Sequence, residues 1–132
     1  MADRTPRRRR EHTRVFVYGS LLRGLHNHRL LDGGSFIALD RTRPAFTLVD
    51  LGSFPAMSLG GVTAVAGEIW EVDAASLERL DALKGHPHWY QRTPIVLASR
   101  RRAETYLLPQ GRASGKPTVP TGDWRDWLVR RR

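Results

Sequence analysis

The stretch Val15-Phe16-Val17-Tyr18-Gly19-Ser20-Leu21-Leu22-Arg23-Gly24 contains the first apolar run of the chain. Its first four residues are β-branched or aromatic, which is typical of a buried strand, and Gly19 ends that strand at a tight turn. Glycine lets a ligand approach the backbone closely, and successive N–H groups at such a turn can cradle a carboxylate or phosphate. A strand that ends in Gly-Ser is also common at ordinary turns, so both interpretations stay open at this point.

A second strand and a helix are predicted in the middle of the chain. Residues 63–72 have apolar side chains on parts of both faces, which is typical of a central strand in a closed or covered sheet. Asp73 is a strong N-cap and Gly85 stands where a left-handed residue is wanted, so we expect a helix from Ala74 to Lys84. The apolar positions of this helix are Leu77, Leu80 and Leu83.

The rest of the chain alternates short apolar runs with turn residues. Further strands are expected within residues 35–51, 90–98 and 103–108, and short helices at 27–31 and 123–128. Residues 52–55 are predicted to form a turn and residues 111–120 a loop. This pattern favours an α+β fold with a curled antiparallel or mixed sheet.

Length and composition point to one domain. A chain of 132 residues suits a single core, so we expect a disordered Arg-rich tail at 1–13 and one domain at 14–132. The chain has no cysteine, which excludes disulfides and zinc-thiolate sites and fits a reducing compartment. No apolar run approaches the roughly 20 residues of a membrane helix, and no secretory signal is evident. We therefore expect no membrane association and a cytoplasmic location.

The formal net charge of +9 raises the question of a nucleic-acid partner. The arginine runs at residues 7–10, 100–102 and 130–132 lie at the chain ends and at a predicted turn, where charge is usually solvated. No helix-turn-helix, zinc-finger or aromatic RNA-binding signature accompanies them. A basic nucleic-acid-binding module is therefore disfavoured but remains an alternative. Of the 22 basic residues only Lys84 and Lys116 are lysines.

Five short motifs, in order along the chain, resemble the γ-glutamylcyclotransferase superfamily, especially its γ-glutamylamine-cyclotransferase-like and AIG2-like branch. The first is the stretch quoted above. Residues 50–56 resemble the family's D-x-G-x-(Y/F)-P-A loop, and residues 67–73 its G-E-(V/L)-(Y/W)-x-(V/I)-D strand. Residues 80–92 resemble L-D-x-x-E-G-x-P-x-x-Y-x-R, and residues 122–124 resemble G-D-W. Each motif alone is weak, whereas five in order make the resemblance specific.

This resemblance implies a fold, an activity and a site. The fold would be a small β-barrel of about five to seven strands flanked by short helices, with a cavity at one end. The activity would release an amine or amino acid from a γ-glutamyl group and leave 5-oxoproline, without a cofactor or metal. Tyr18, Gly19, Ser20 and Leu21 would line the pocket, with backbone N–H groups on the α-carboxylate, and Tyr90 would sit near it. The partner would be a small γ-glutamyl or carboxylate ligand, and the choice between monomer and homodimer stays open.

The position of the expected catalytic glutamate is occupied by Lys84. In the family reaction the substrate's own α-amine attacks its γ-carbonyl, and the protein moves protons between the two nitrogens. Lys84 lies seven residues after Leu77, about two turns, so its side chain is expected to point inward. A lysine near a helix C-terminus is also favoured by the macrodipole and could pair with Asp81, so a surface role stays open.

Three interpretations of Lys84 follow. The chain could bind a carboxylate-bearing ligand without the family's activity, with Lys84 helping to hold it. Catalysis could persist with another base, either Lys84 with a lowered pKa or an inward-turned Glu68 or Asp81. Lys84 could also be an introduced, inactivating exchange. The enzymatic interpretation is favoured over the others.

Other polar residues are assigned structural roles. Arg92 is expected to form an ion pair and His28 a structural hydrogen bond. The histidine pairs at residues 26 and 28 and at 86 and 88 have no accompanying carboxylate cluster, so no metal site is expected.

Overall fold

The computed structural model describes residues 12–131. Seven strands form one sheet: β1 His12–Val17, β2 Ser35–Arg41, β3 Phe46–Asp50, β4 Pro55–Leu59, β5 Ala66–Asp73, β6 Gln91–Val96 and β7 Arg102–Leu107. The α-helices are α1 Ala74–Lys84, α2 Gln110–Ala113 and α3 Trp124–Arg130, and a 3₁₀ helix spans His28–Leu31. The α+β class predicted from the sequence is confirmed.

Strand β1 lies inside the sheet, as its apolar sequence predicts. The strand order is β2-β5-β1-β7-β4-β3, and β6 pairs with β7 on a separate branch. β1 runs antiparallel to β5, with Val15 opposite Trp70, and parallel to β7, with Val15 opposite Glu104. The loop that follows β1 therefore leaves from an interior strand, between neighbours that hold it on both sides.

The sheet does not close into the barrel that the family resemblance implied. The ends of β2 and β6 approach each other only at the isolated bridge between Thr42 and Leu97, beside which Ala98 N donates to Arg41 O at 2.8 Å. A closed barrel needs a continuous ladder between its first and last strands. One bridge does not supply such a ladder, so the description as a barrel is corrected to an open, curled, mixed sheet.

Apolar residues pack on both faces of the sheet. Val15 and Val17 belong to one core cluster and Phe16 to another, because successive side chains of a strand point to opposite faces. Helix α1 contributes Leu80 to the first cluster, and α3 contributes Trp124 to the second. The two helices therefore cover opposite faces of the same sheet.

Some element predictions needed correction. The sequence predicts a turn at Pro55, yet Pro55 begins β4. Strand β4 pairs antiparallel with β3, and its Met57 pairs with Leu107 of β7. A short helix, α2, begins at Gln110 and extends to Ala113, into the stretch 111–120 that the sequence predicts to be a loop. Strand β5 starts at Ala66 rather than at residue 63. These differences arise where tertiary pairing overrides weak local preference.

The predicted tail at 1–13 lies outside the described residues except for its last two positions, which begin β1. Among the helices of residues 12–131, none is long and apolar enough to cross a membrane.

Candidate functional site

One side of helix α1 carries Lys84 into the protein. The buried residues of the helix are Ser76, Leu80 and Lys84, which are four residues apart and therefore lie on one face. Lys84 is only 9% exposed, whereas Leu83, which was predicted to be an apolar contact, is 44% exposed. The inward direction expected for Lys84 is found, and the inward direction expected for Leu83 is wrong.

The ammonium group of Lys84 lies against an aromatic ring and has no acidic partner in the part of the chain that the structure describes. Lys84 Nζ is 4.7 Å from the centroid of the Tyr90 ring, a cation–π arrangement. Within residues 12–131, Lys84 Nζ takes part in no hydrogen bond or ion pair. Burial lowers the pKa of Lys84 to about 8, because removal from water disfavours the charged form. At pH 7 the group is therefore mainly a cation, with about one tenth of the molecules carrying a neutral amine.

The pairing of Lys84 with Asp81 that helix geometry allowed is not formed. Asp81 accepts hydrogen bonds from Arg92 Nε at 2.9 Å, from Arg92 Nη2 at 3.2 Å and from Tyr106 Oη at 2.7 Å. Arg92 also pairs with Glu104, and these carboxylates raise its pKa despite partial burial. The structural ion pair predicted for Arg92 is confirmed, and the hydrogen bonds of Asp81 hold it as a structural carboxylate rather than a free base.

Two contacts link the end of α1 to the loop after β1. Tyr90 Oη donates to the carbonyl oxygen of Pro55 at 2.9 Å. A Cβ placed on Gly19 would lie 2.6 Å from Cδ of Pro55, so the loop backbone rests directly on the proline ring. The tertiary structure thus connects Lys84, Tyr90 and Gly19 through Pro55, although these residues are far apart in sequence.

At Gly19, Ser20 and Leu21 the carbonyl groups accept hydrogen bonds, whereas the N–H groups have no partner among the described residues. The carbonyl oxygens of Ser20 and Leu21 accept from Asn27 N at 2.9 Å and from His28 Nδ1 at 3.0 Å, and Asn27 Nδ2 donates to Ser20 Oγ at 2.9 Å. By contrast, the backbone N–H groups of Gly19, Ser20 and Leu21 donate to no atom of residues 12–131. Three consecutive free donors are the arrangement that can cradle an anion. The structural hydrogen bond predicted for His28 is confirmed.

Tyr18 uses its side chain to hold the sheet together. Its hydroxyl donates to the carbonyl of Tyr106 at 2.6 Å and accepts from Met57 N at 3.0 Å. Burial, reinforced by the neighbouring Tyr90, raises the pKa of Tyr18 well above its usual value. Burial also raises the pKa of Tyr90. Both phenol groups therefore stay neutral at physiological pH. The charged group beside the Tyr90 ring is the ammonium of Lys84.

The six predicted site residues are all buried in the structure. Two cavities of about 610 Å³ and about 320 Å³ are formed by other residues. The larger one is lined by Leu22 and Glu68, among other residues, and the smaller one by Lys116. Neither is lined by any of the six predicted residues: Tyr18, Gly19, Ser20, Leu21, Lys84 and Tyr90.

Glu68 is a buried carboxylate beside the same loop. It is 3% exposed, and its Oε1 accepts from Arg23 N at 3.2 Å and from Trp70 Nε1 at 3.0 Å. Its Oε2 accepts from Arg125 Nη2 at 3.2 Å. The sequence analysis missed Arg125, for which the adjacent Gly-Asp-Trp motif was the available signal. No group of three or more metal-ligating side chains occurs in the part of the chain that the structure describes.

A comparison with protein families matches residues 15–126 to the model described as gamma-glutamyl cyclotransferase, AIG2-like. The chain belongs to this family. It is 40% identical over 118 residues to the human gamma-glutamylaminecyclotransferase, covering 81% of this chain and 71% of the human one. It is 31% identical over 113 residues to a gamma-glutamylcyclotransferase family protein of Escherichia coli, covering 86% and 96%.

Solved structures agree with this membership. A mouse AIG2-like protein superposes with a TM-score of 0.73 at 29% identity, covering 83% of this chain and 87% of the mouse one. A protein of uropathogenic E. coli superposes with a TM-score of 0.77 at 28% identity, covering 89% and 96%. The γ-glutamylcyclotransferase-like fold implied by the sequence resemblance is therefore confirmed.

Proposed function

We propose that the chain cleaves a γ-glutamyl-amine or a related amide, releasing the amine and 5-oxoproline, with Lys84 as the proton-transferring group. The observation that carries the proposal is the largely buried side chain of Lys84, whose ammonium lies 4.7 Å from the centroid of the Tyr90 ring, has no acidic partner within residues 12–131 and has a pKa of about 8. It occupies the position of the glutamate in the family motif. It is also linked through Tyr90 and Pro55 to the loop with free N–H groups.

The loop would hold the substrate and Lys84 would move the proton. The free N–H groups of Gly19, Ser20 and Leu21 bind the substrate α-carboxylate, which fixes the α-amine close to the γ-carbonyl. Neutral Lys84 takes a proton from the substrate α-ammonium, and the freed amine attacks the γ-carbonyl carbon. The new C–N bond closes the five-membered ring.

The second half of the reaction returns the same proton. Lys84, now an ammonium, donates its proton to the leaving nitrogen as the γ-amide C–N bond breaks. The ring nitrogen still carries an extra proton, which neutral Lys84 takes up and passes to the departing amine. The amine leaves as an ammonium ion, 5-oxoproline remains with one N–H, and Lys84 is neutral again, so atoms and protons balance. A base with a pKa near the working pH is suited to both steps, and burial moves the lysine toward that range.

A second candidate is a binding protein for a small carboxylate without turnover. It is favoured by the same ammonium, which has no acidic partner among residues 12–131. A cation linked through Tyr90 and Pro55 to a loop with three free N–H groups suits a carboxylate. In this case Lys84 would act as a protonated anion ligand below pH 8 and binding would weaken as the pH rises through that value. The two candidates therefore predict opposite responses to pH: turnover rises toward pH 8 and above, whereas carboxylate binding falls.

The test follows 5-oxoproline by mass spectrometry after incubation with a panel of γ-glutamyl-amines between pH 6 and pH 10. We expect kcat of the wild type to rise about tenfold per pH unit below pH 8 and to level off above it. Lys84→Met should lower kcat by about 100-fold or more, which is typical of losing a general acid–base group. Lys116→Met removes the chain's other lysine and should leave the profile unchanged.

The outcomes separate the candidates. Product from the wild type with an inflection near pH 8 supports the cyclotransferase. Product from Lys84→Glu alone, with the wild type binding 5-oxoproline by calorimetry, supports the binding protein in a chain that has lost the family's reaction. Neither product nor binding from any variant would overturn both candidates.

A further inference from the structure

Both backbone polar groups of Arg23, at the end of the loop after β1, are held by two distant side chains. The N–H of Arg23 donates to Glu68 Oε1 at 3.2 Å, and its carbonyl oxygen accepts from Arg125 Nη2. Arg125 Nη2 also reaches Glu68 Oε2 at 3.2 Å, so the three residues form a closed triangle. The loop is thus fastened at its far end to strand β5 and to helix α3 together.

Glu68 is fixed firmly enough to act as the anchor of this triangle. Its side chain is 4% exposed. Its Oε1 accepts a hydrogen bond at 3.0 Å from Nε1 of Trp70, which lies two residues further along β5. Charge-assisted hydrogen bonds are shorter and stronger than neutral ones, and a buried carboxylate that loses its partners is costly. Movement of Glu68 away from Arg23 would therefore cost free energy at several contacts at once.

Arg125 lies in the first turn of helix α3, whose start is held in place by a cap and by a buried side chain. The helix begins after Asp123, whose side chain accepts from Asp126 N at 3.2 Å, and Trp124 is buried in the core. Arg125 therefore projects from a helix whose start is capped and whose neighbouring residue is anchored. The contact that it makes with Arg23 spans 102 positions of the chain.

We infer that Glu68 and Arg125 are positioning residues that hold the loop's free N–H groups in place for the ligand, and that helix α3 is thereby part of the site. This inference rests on the proposed function for the identity of the ligand. The contacts of Glu68 and Arg125 with Arg23, which we call the clamp, do not depend on the proposed function. The clamp fixes Arg23, two residues after Leu21, so it limits the orientations that the N–H groups of Ser20 and Leu21 can take. Loss of either clamp residue should loosen these groups without touching Lys84.

The first test needs no ligand. Amide hydrogen exchange of Leu22 and Arg23, whose N–H groups donate to Gly19 O and to Glu68 Oε1, is measured by NMR in the wild type, Glu68→Gln, Arg125→Gln and the double variant. We expect exchange about tenfold faster in each single variant, since a hydrogen bond to a charged group is lost, and little further increase in the double variant. Arg131→Gln is the matched control. It removes the same kind of side chain at the C-cap of the same helix, where Arg131 pairs with Asp50 at 2.7 Å rather than with the clamp.

The second test measures turnover of γ-glutamyl-n-butylamide. Glu68→Gln and Arg125→Gln should raise KM about tenfold while kcat and the position of the pH inflection stay as in the wild type, because ground-state positioning is lost and proton transfer is not. Arg125→Lys should restore part of the KM, because an ammonium can still reach Glu68. Arg131→Gln should leave KM within about twofold of the wild type.

The two tests fail independently. Loop exchange that is unchanged in Glu68→Gln and Arg125→Gln, or equally fast in Arg131→Gln, overturns the clamp even if turnover is observed. Faster amide exchange of the loop in the clamp variants, with no turnover by any protein, would overturn the proposed reaction and support the clamp. A fall in kcat or a displaced pH inflection in Glu68→Gln would assign Glu68 to proton transfer and overturn its role as a positioning residue.

Discussion

Replacement of Lys84 by methionine is expected to raise the free energy of unfolding at pH 7 by about 3 kcal/mol. Burial lowers the pKa of Lys84 from 10.5 to about 8. Each unit of such a shift corresponds to about 1.4 kcal/mol of preference for the neutral form. At pH 7 the lysine is charged in both the folded and the unfolded chain, so the folded chain bears the whole cost of its buried charge. Methionine has a similar length and no charge, and it can occupy the same space.

The stabilisation should disappear at high pH. In the unfolded chain the amine keeps its proton up to about pH 10.5, whereas in the folded chain it loses it near pH 8. Between these values unfolding takes up a proton, so the wild type gains stability as the pH rises. Methionine does not titrate, and the difference between the two proteins should therefore be full below pH 8 and close to zero above about pH 10.5.

Urea denaturation from pH 6 to pH 10.5 measures this difference directly. Lys116→Met is the control, because Lys116 is exposed and its removal should change the stability by less than about 0.5 kcal/mol. A Lys84→Met protein that is less stable than the wild type at pH 7 would contradict the burial of an uncompensated charge. The same would follow from a difference that does not change with pH.

Replacement of Gly67 by alanine is expected to lower the free energy of unfolding by about 3 kcal/mol. A Cβ on Gly67 would lie 2.3 Å from the carbonyl oxygen of Val17 and 2.6 Å from Cζ of Phe16. The carbonyl belongs to the end of β1 and the ring is fully buried in the core, so neither can move aside cheaply. Because Val17 directly precedes the loop, the same substitution should also disturb the site.

Gly111→Ala is the matched control for this substitution. Gly111 lies in helix α2, and a Cβ there would meet nothing within 4 Å, so alanine should leave stability unchanged or raise it slightly. Thermal and urea unfolding of the two variants check the prediction. Equal midpoints for Gly67→Ala and the wild type would show that β1 and β5 can separate without cost, against the close packing described above.

These predictions bear on why Lys84 is present. The chain uses arginine at 20 of its 22 basic positions, and a buried lysine costs stability. A residue that costs free energy in the folded state and has a strongly shifted pKa is a candidate for function rather than for structure. The stability measurement and the pH–rate profile therefore both depend on the protonation of the Lys84 amine.

Local sequence signals predicted part of the site correctly. The run from Val15 to Tyr18 predicted a buried strand, and β1 is interior to the sheet. Asp73 predicted the start of α1, and its side chain accepts from Ser76 N at 2.8 Å. Gly85 predicted the end of α1 and has the left-handed φ of 64°. Such signals act over a few residues, so they are visible before the chain folds.

Local sequence signals were therefore sufficient for the loop after β1, for the helix that carries Lys84 and for the inward direction as one of two directions considered for that side chain. Tertiary structure alone decided that the sheet stays open, that Pro55 begins a strand, and that Glu68 and Arg125 meet at Arg23. The contacts of Glu68 with Arg23 and Arg125 span 45 and 57 positions, and that of Arg125 with Arg23 spans 102. Capping and strand propensity depend on neighbours in the chain, whereas these contacts depend on how sheet and helices pack, which no local pattern encodes.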